Sequence, residues 1–157
     1  MIIKRLIDED FVNYKKPSMF IGFPSCSWKC EKECGKKVCQ NGTLATSPDI
    51  TIGVKSIVNR YINNSITSSI ICGGLEPLDT WDDLYQLIVY MRVSTQDDIV
   101  IYTGYYKEEI EEYINELKAF NNIIIKFGRY IPNQEIHYDK VLGVYLASNN
   151  QYAEKIS

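Results

Sequence analysis

Four of the five cysteines, Cys26, Cys30, Cys34 and Cys39, fall within fourteen residues, in a stretch reading C-S-W-K-C-E-K-E-C-G-K-K-V-C-Q-N directly after the apolar run Met19 to Phe23. Thiols crowded this closely make a soft-metal site, because thiolate sulfur selects zinc or an iron-sulfur cluster. The C-x3-C-x3-C-x4-C spacing leaves the metal open, since it is neither the paired C-x2-C of most zinc ribbons nor a ferredoxin run. The competing readings are small apolar packing residues or a disulfide pair, and such clusters are rare in those roles where thiols stay reduced.

A second stretch with chemical potential is Gly73-Gly74-Leu75-Glu76-Pro77. A glycine pair admits close approach of a ligand to the backbone and positive φ, and Glu76 supplies a carboxylate able to accept from an ammonium group. Its competing reading is a plain turn. Tyr102-Thr103-Gly104 and Ser148-Asn149-Asn150 are polar interruptions after apolar runs, while His137 sits in a polar loop and needs no role.

These residues need elements to hold them. Short apolar runs at Met19 to Phe23, Ser68 to Cys72, Asp98 to Tyr102, Asn122 to Phe127 and Val141 to Leu146 read as strands, with Ile2 to Ile7 as an edge strand and Asp8 to Pro17 as a connector. Helical spacing predicts helices over Val54 to Ile62, from Thr80-Trp81 with a capping-box pattern, and over Lys107 to Phe120. In the last of these, Ile110, Ile114 and Leu117 face the core, and Glu108, Glu109, Glu111 and Glu112 form a solvated face. Strands alternating with helices imply parallel β-α units with helices outside the sheet, and an open, curved partial (β/α) barrel fits this pattern. Cys26 to Cys39, Gly73 to Glu76, Tyr102 to Gly104 and Ser148 to Asn150 each follow the C-terminal end of an expected strand, the edge where α/β folds bind ligands.

Composition narrows the classes. With 157 residues, 45% hydrophobic and 24% charged, the chain reads as a single domain spanning residues 1–157. A formal net charge of -3 offers no basic footprint for nucleic acid. The acidic start, M-I-I-K-R-L-I-D-E-D, does not read as a signal peptide, and no segment approaches the roughly twenty apolar residues of a membrane span. The expectation is a cytoplasmic protein with its thiols reduced.

The motifs carry a resemblance as well. "MFIGFPSCSWKC" and "CQN", then "CGGLEP", "YTGY" and "SNNQ", in that order, resemble the radical S-adenosylmethionine (SAM) enzymes, and more narrowly the activating proteins of anaerobic ribonucleotide reductase. The family writes C-x3-C-x2-C followed by x-Asn. Cys26 and Cys30 match its first two positions, and Cys39, followed by Gln40-Asn41, matches the third, which makes Glu31 to Val38 an insertion with Cys34 as the spare cysteine. The resemblance implies a radical SAM fold, a 4Fe-4S cluster on Cys26, Cys30 and Cys39, and SAM bound by Gly73, Gly74, Glu76, Thr103, Asn149 and Asn150; Trp28 reads equally as a shield for that cluster or as a surface tryptophan packing the loop. Against the family's G-G-E-P and S-N-Q, Leu75 and one Asn of the Asn149-Asn150 pair are extra residues. It also implies an oxidoreductase that installs a glycyl radical on the large subunit of anaerobic ribonucleotide reductase, drawing electrons from reduced flavodoxin or ferredoxin. Two other readings stay open: a radical SAM enzyme acting on a small nucleobase-like substrate, and a binding module holding structural zinc on Cys26, Cys30, Cys34 and Cys39.

Overall fold

Runs of β-branched residues bounded by turn formers build the centre of the protein, because branched side chains pack well on a pleated surface. The computed structural model describes all 157 residues. Its main sheet has six strands in the order β10-β7-β6-β5-β3-β2, formed by β2 (Arg5–Asp10), β3 (Ser18–Phe23), β5 (Ser69–Gly74), β6 (Asp98–Tyr102), β7 (Ile123–Phe127) and β10 (Tyr152–Lys155). The four central strands, β3, β5, β6 and β7, are parallel and stand side by side in chain order. Both edge strands run antiparallel to their neighbours. Two small pairs complete the β-structure: β1 (Ile2–Ile3) with β4 (Ile50–Thr51), and β8 (His137–Asp139) with β9 (Val144–Leu146).

Alternation along the strands sends successive side chains to opposite faces. One face carries Ile21, Cys72, Ile101 and Ile125, which pack against α3 (Val54–Ile62), α4 (Trp81–Ser94) and α5 (Glu111–Leu117) in a single large core. The opposite face carries Ile71, Val100 and Ile124 with Ala153 of β10, covered by Tyr14, Leu142 and Leu146 and by the partly buried Val141 and Val144, all from loops and a short strand. Helices therefore shield one side of the sheet, and the other side is left thinly covered. No helix is long and apolar enough to cross a membrane.

α3 and β6 take the bounds expected from the sequence, and the expected strand at Met19 is extended by one residue to Ser18. Several expectations are corrected. β2 continues to Asp10, into the segment read as a connector, because Asp10 still pairs with Ser18 beyond an irregularity in the ladder. β5 includes Gly73 and Gly74, which pair with Gly22 and Phe23. The capping box at Thr80 is absent: a 3-10 turn, Pro77–Thr80, precedes α4, and the Glu76 side chain caps it by accepting from the Leu78 N–H. The helix expected from Lys107 begins as a 3-10 turn, Lys107–Glu109, and α5 starts only at Glu111. The expected last parallel strand at Val141 is a correction of topology. Only Val144–Leu146 is extended, paired with β8 outside the main sheet, and the chain then returns as β10, antiparallel to β7.

Candidate cluster site

The C-terminal ends of β3, β5, β6 and β7 open onto a cavity of about 560 Å³ that continues along the thinly covered face of the sheet. Its wall contains Cys26, Cys30 and Cys39, with Gly74, Glu76, Thr103, Gly104 and Lys126. Cys34 is not part of this wall.

Each cysteine is placed by the backbone around it. Trp28 takes a left-handed conformation (φ 56), which turns its N–H back to donate to Cys26 Sγ at 3.2 Å and starts α1 (Lys29–Cys34). Cys30 lies in the first turn of α1, and a Cβ added at Gly104 would meet its sulfur at 3.5 Å, so the β6 turn and the cysteine loop touch there. Cys39 Sγ accepts the N–H of Asn41 at 3.3 Å, while Asn41 Nδ2 donates to Gly74 O at 2.7 Å. Asn41 thus ties the third cysteine to the end of β5, just before α2 (Gly42–Ala45). Burial pushes the Cys26 thiol up to about 12 and raises that of Cys30. A coordinating iron reverses this, since a metal-bound thiol gives up its proton outright.

Glu76 organises the floor of the site. It is 4% exposed; its N–H donates to Ser25 O at 2.8 Å, and its two carboxylate oxygens accept from Leu78 N–H at 3.2 Å and Gly104 N–H at 2.8 Å. Burial lifts its pKa to about 7 despite these donors. The carboxylate read as a ligand group is therefore first a brace between the cysteine loop, the 3-10 turn and the β6 turn. Thr103 is 2% exposed and accepts the Tyr105 N–H on its hydroxyl.

Gly74 lines the cavity at φ +84, and an added Cβ would stand 2.8 Å from both Gly22 Cα and Leu44 Cδ2. Gly73 is buried, its missing Cβ facing Phe20 and Tyr102. Asn149 and Asn150 are not in the wall; Asn149 is exposed, and Asn150 Nδ2 donates to Arg129 O at 3.0 Å. The neighbouring Gln151 lines the cavity instead. This stretch does reach the same edge of the sheet, through the start of the returning strand, where Tyr152 pairs with Phe127. His137 lies in β8, outside the cavity wall.

Sequence reasoning missed Lys126. It is 7% exposed, its Nζ donates to Gly128 O at 2.9 Å, and burial depresses its pKa to about 8. A lysine inside the otherwise apolar run Ile123–Phe127 was itself the signal, because buried lysines are rare without a partner. The two cavity carboxylates, Asp10 and Glu76, are engaged with local N–H groups. Lys126 is the buried cation of the cavity wall, within coulombic reach of Cys30 and Glu76.

The residues present suit a cluster. A cubic cluster takes each thiolate at a different iron, so its ligands surround a volume and need not converge on a point. Cys26, Cys30 and Cys39 stand around one cavity in this way. Compared with known proteins, residues 18–152 match the family model described as 4Fe-4S single cluster domain. No curated protein and no solved structure matches the chain.

Proposed function

Because the chain belongs to the family of 4Fe-4S single cluster domains, we propose that it is a radical SAM oxidoreductase that generates a glycyl radical on a partner enzyme, the large subunit of an anaerobic ribonucleotide reductase. The observation that carries this reading is the shared wall: Cys26, Cys30 and Cys39 line the same cavity as Gly74, Thr103 and the buried cation Lys126. Three cysteines on a cubic cluster leave one iron open to an amino-acid ligand. When bound, the cluster and SAM supply reductive cleavage of the sulfonium to methionine and a 5'-deoxyadenosyl radical that abstracts a hydrogen atom.

The chain's own residues bind and exclude. Lys126 offers charge-assisted hydrogen bonds to a carboxylate such as that of SAM. Thr103 and Gly74 share the cavity wall as a polar and a backbone contact, and Gln151 lines it where Asn149 and Asn150 do not. Gly73 and Glu76 shape the site from behind. With it goes the open partial (β/α) barrel, supported by four parallel strands in chain order and by helices on one face. The thinly covered opposite face is where an extended segment of a partner would enter.

The test is to mix the reconstituted chain, SAM, a reductant and the candidate reductase without oxygen. The reading expects 5'-deoxyadenosine by chromatography and a glycyl-radical doublet by electron paramagnetic resonance, lost when the partner's glycine is replaced. SAM turnover only with a small nucleobase substrate would overturn the choice of partner.

A further inference from the structure

The insertion in the cysteine loop is poor material for packing. α1 buries none of its residues, yet Lys29 to Lys37 carries four lysines and two glutamates in a chain of net charge -3. The structure sorts these charges into two sets. Lys29 and Glu33 are tied to the body of the protein: Lys29 Nζ lies 3.2 Å from Glu109 and 4.1 Å from the centre of the Tyr105 ring, and Glu33 pairs with Arg129 at 3.1 Å and accepts from the Tyr106 hydroxyl at 2.8 Å. Arg129, 7% exposed, also pairs with Glu109 at 2.7 Å, closing the clasp. Lys32, Lys36 and Lys37 turn outward, exposed and in no ion pair, with Glu31 the only carboxylate left among them. Gly35, in the left-handed region at φ 65, ends α1 and turns the chain from Lys32 towards Lys36 and Lys37.

We propose that this outward set, Lys32, Lys36 and Lys37, is the docking face for a small acidic electron-transfer protein carrying a flavin or iron-sulfur centre. The inference rests on the reading of the site as a cluster that must be reduced. The face lies on the segment that joins Cys30 to Cys39, two cysteines of the cavity wall, so a donor seated on it binds the cysteine loop itself. One electron leaves the donor's centre and reduces the oxidised cluster, with no bond made or broken. Charge complementarity selects the occupant: three unpaired cations on an otherwise acidic protein attract an acidic partner and steer its approach.

The experiment compares the wild type with a triple variant, Lys32→Gln, Lys36→Gln and Lys37→Gln, using an acidic flavodoxin as the probe. Binding is titrated on the chain without iron, and reduction of the reconstituted chain is followed by stopped flow with flavodoxin or with dithionite. At about 0.01 M salt, where charges act over about 30 Å, the variant should bind and be reduced by flavodoxin roughly 10-fold or more slowly and weakly. At about 1 M salt, where that range falls to about 3 Å, wild type and variant should agree. Dithionite rates should be equal throughout. Equal behaviour with flavodoxin at low salt would overturn the proposal, as would an equal loss with dithionite, which would mark a merely structural role. Unchanged donor kinetics with slowed radical transfer to the reductase would overturn it by assigning the lysines to that enzyme. The binding arm needs no cluster, so it decides for or against the face even if the chain takes up no iron and the reading of the site fails.

Discussion

Lys126→Met should make the iron-free protein more stable, although it removes a hydrogen bond. Burial depresses the lysine from 10.5 to about 8, and at about 1.4 kcal/mol per pH unit this is about 3 kcal/mol spent on holding the charge. Methionine fills similar space, and Gly128 O still accepts from Gln151 Nε2 at 3.3 Å. Below about pH 8 the lysine is charged in folded and unfolded chains alike, so the folded state bears the full cost. As pH rises from about 8 to 10.5 the folded lysine loses its proton first, the unfolded chain binds more protons, and stability rises; above 10.5 both forms are neutral and the cost is gone. Urea unfolding under reducing conditions should therefore show the variant about 3 kcal/mol more stable at pH 7, with the advantage shrinking towards zero by about pH 10.5. Buried thiols and phenols such as Cys26 and Tyr61, both held above their ordinary values by burial, pull the other way as the unfolded chain ionises, equally in both proteins; Cys30 is the exception, because the variant removes the Lys126 charge that draws its thiol down. SAM binding should fall in the variant. A difference that stays constant with pH, or a less stable variant, would refute the assignment of a costly buried charge.

Gly74→Ala should destabilise the fold by about 2–5 kcal/mol in the same assay, from a left-handed backbone and from overpacking against Gly22 and Leu44. Loss of SAM binding alone, with stability unchanged, would contradict the packing found there. Asn41→Ala frees Gly74 O and loosens Cys39; iron release to a chelator should speed up by roughly 10-fold, the usual scale for groups that orient a ligand.

The parallel core was legible because its strands are long apolar runs and its helices have clean periodicity: Val54–Ile62 and Asp98–Tyr102 needed no correction. The C-terminal third was not. In β10, Tyr152–Lys155, only Ala153 is buried, so there is almost no apolar signal, while Leu142 and Leu146 are apolar because they cover the second face of the sheet. The break at Ile110 was hidden because its side chain is buried just as a continuous helix would require. In the site, the cysteines announced themselves by spacing. Asn150 and Gln151 are adjacent in sequence, and only the turn into β10 decides which of them reaches the cavity. Glu76 was found, but its bracing role depends on the Gly104 N–H, 28 residues away, a pairing that the sequence does not encode locally.

The central claim is that three particular cysteines and an amino-acid cofactor share one cavity. Electron paramagnetic resonance of the reconstituted, reduced chain before and after SAM tests it most directly, with single alanine variants of the four loop cysteines. The account predicts a 4Fe-4S signal that shifts on addition of SAM, retained in Cys34→Ala and lost in Cys26→Ala, Cys30→Ala and Cys39→Ala. A signal indifferent to SAM, or one that survives in Cys39→Ala and disappears in Cys34→Ala, would contradict it.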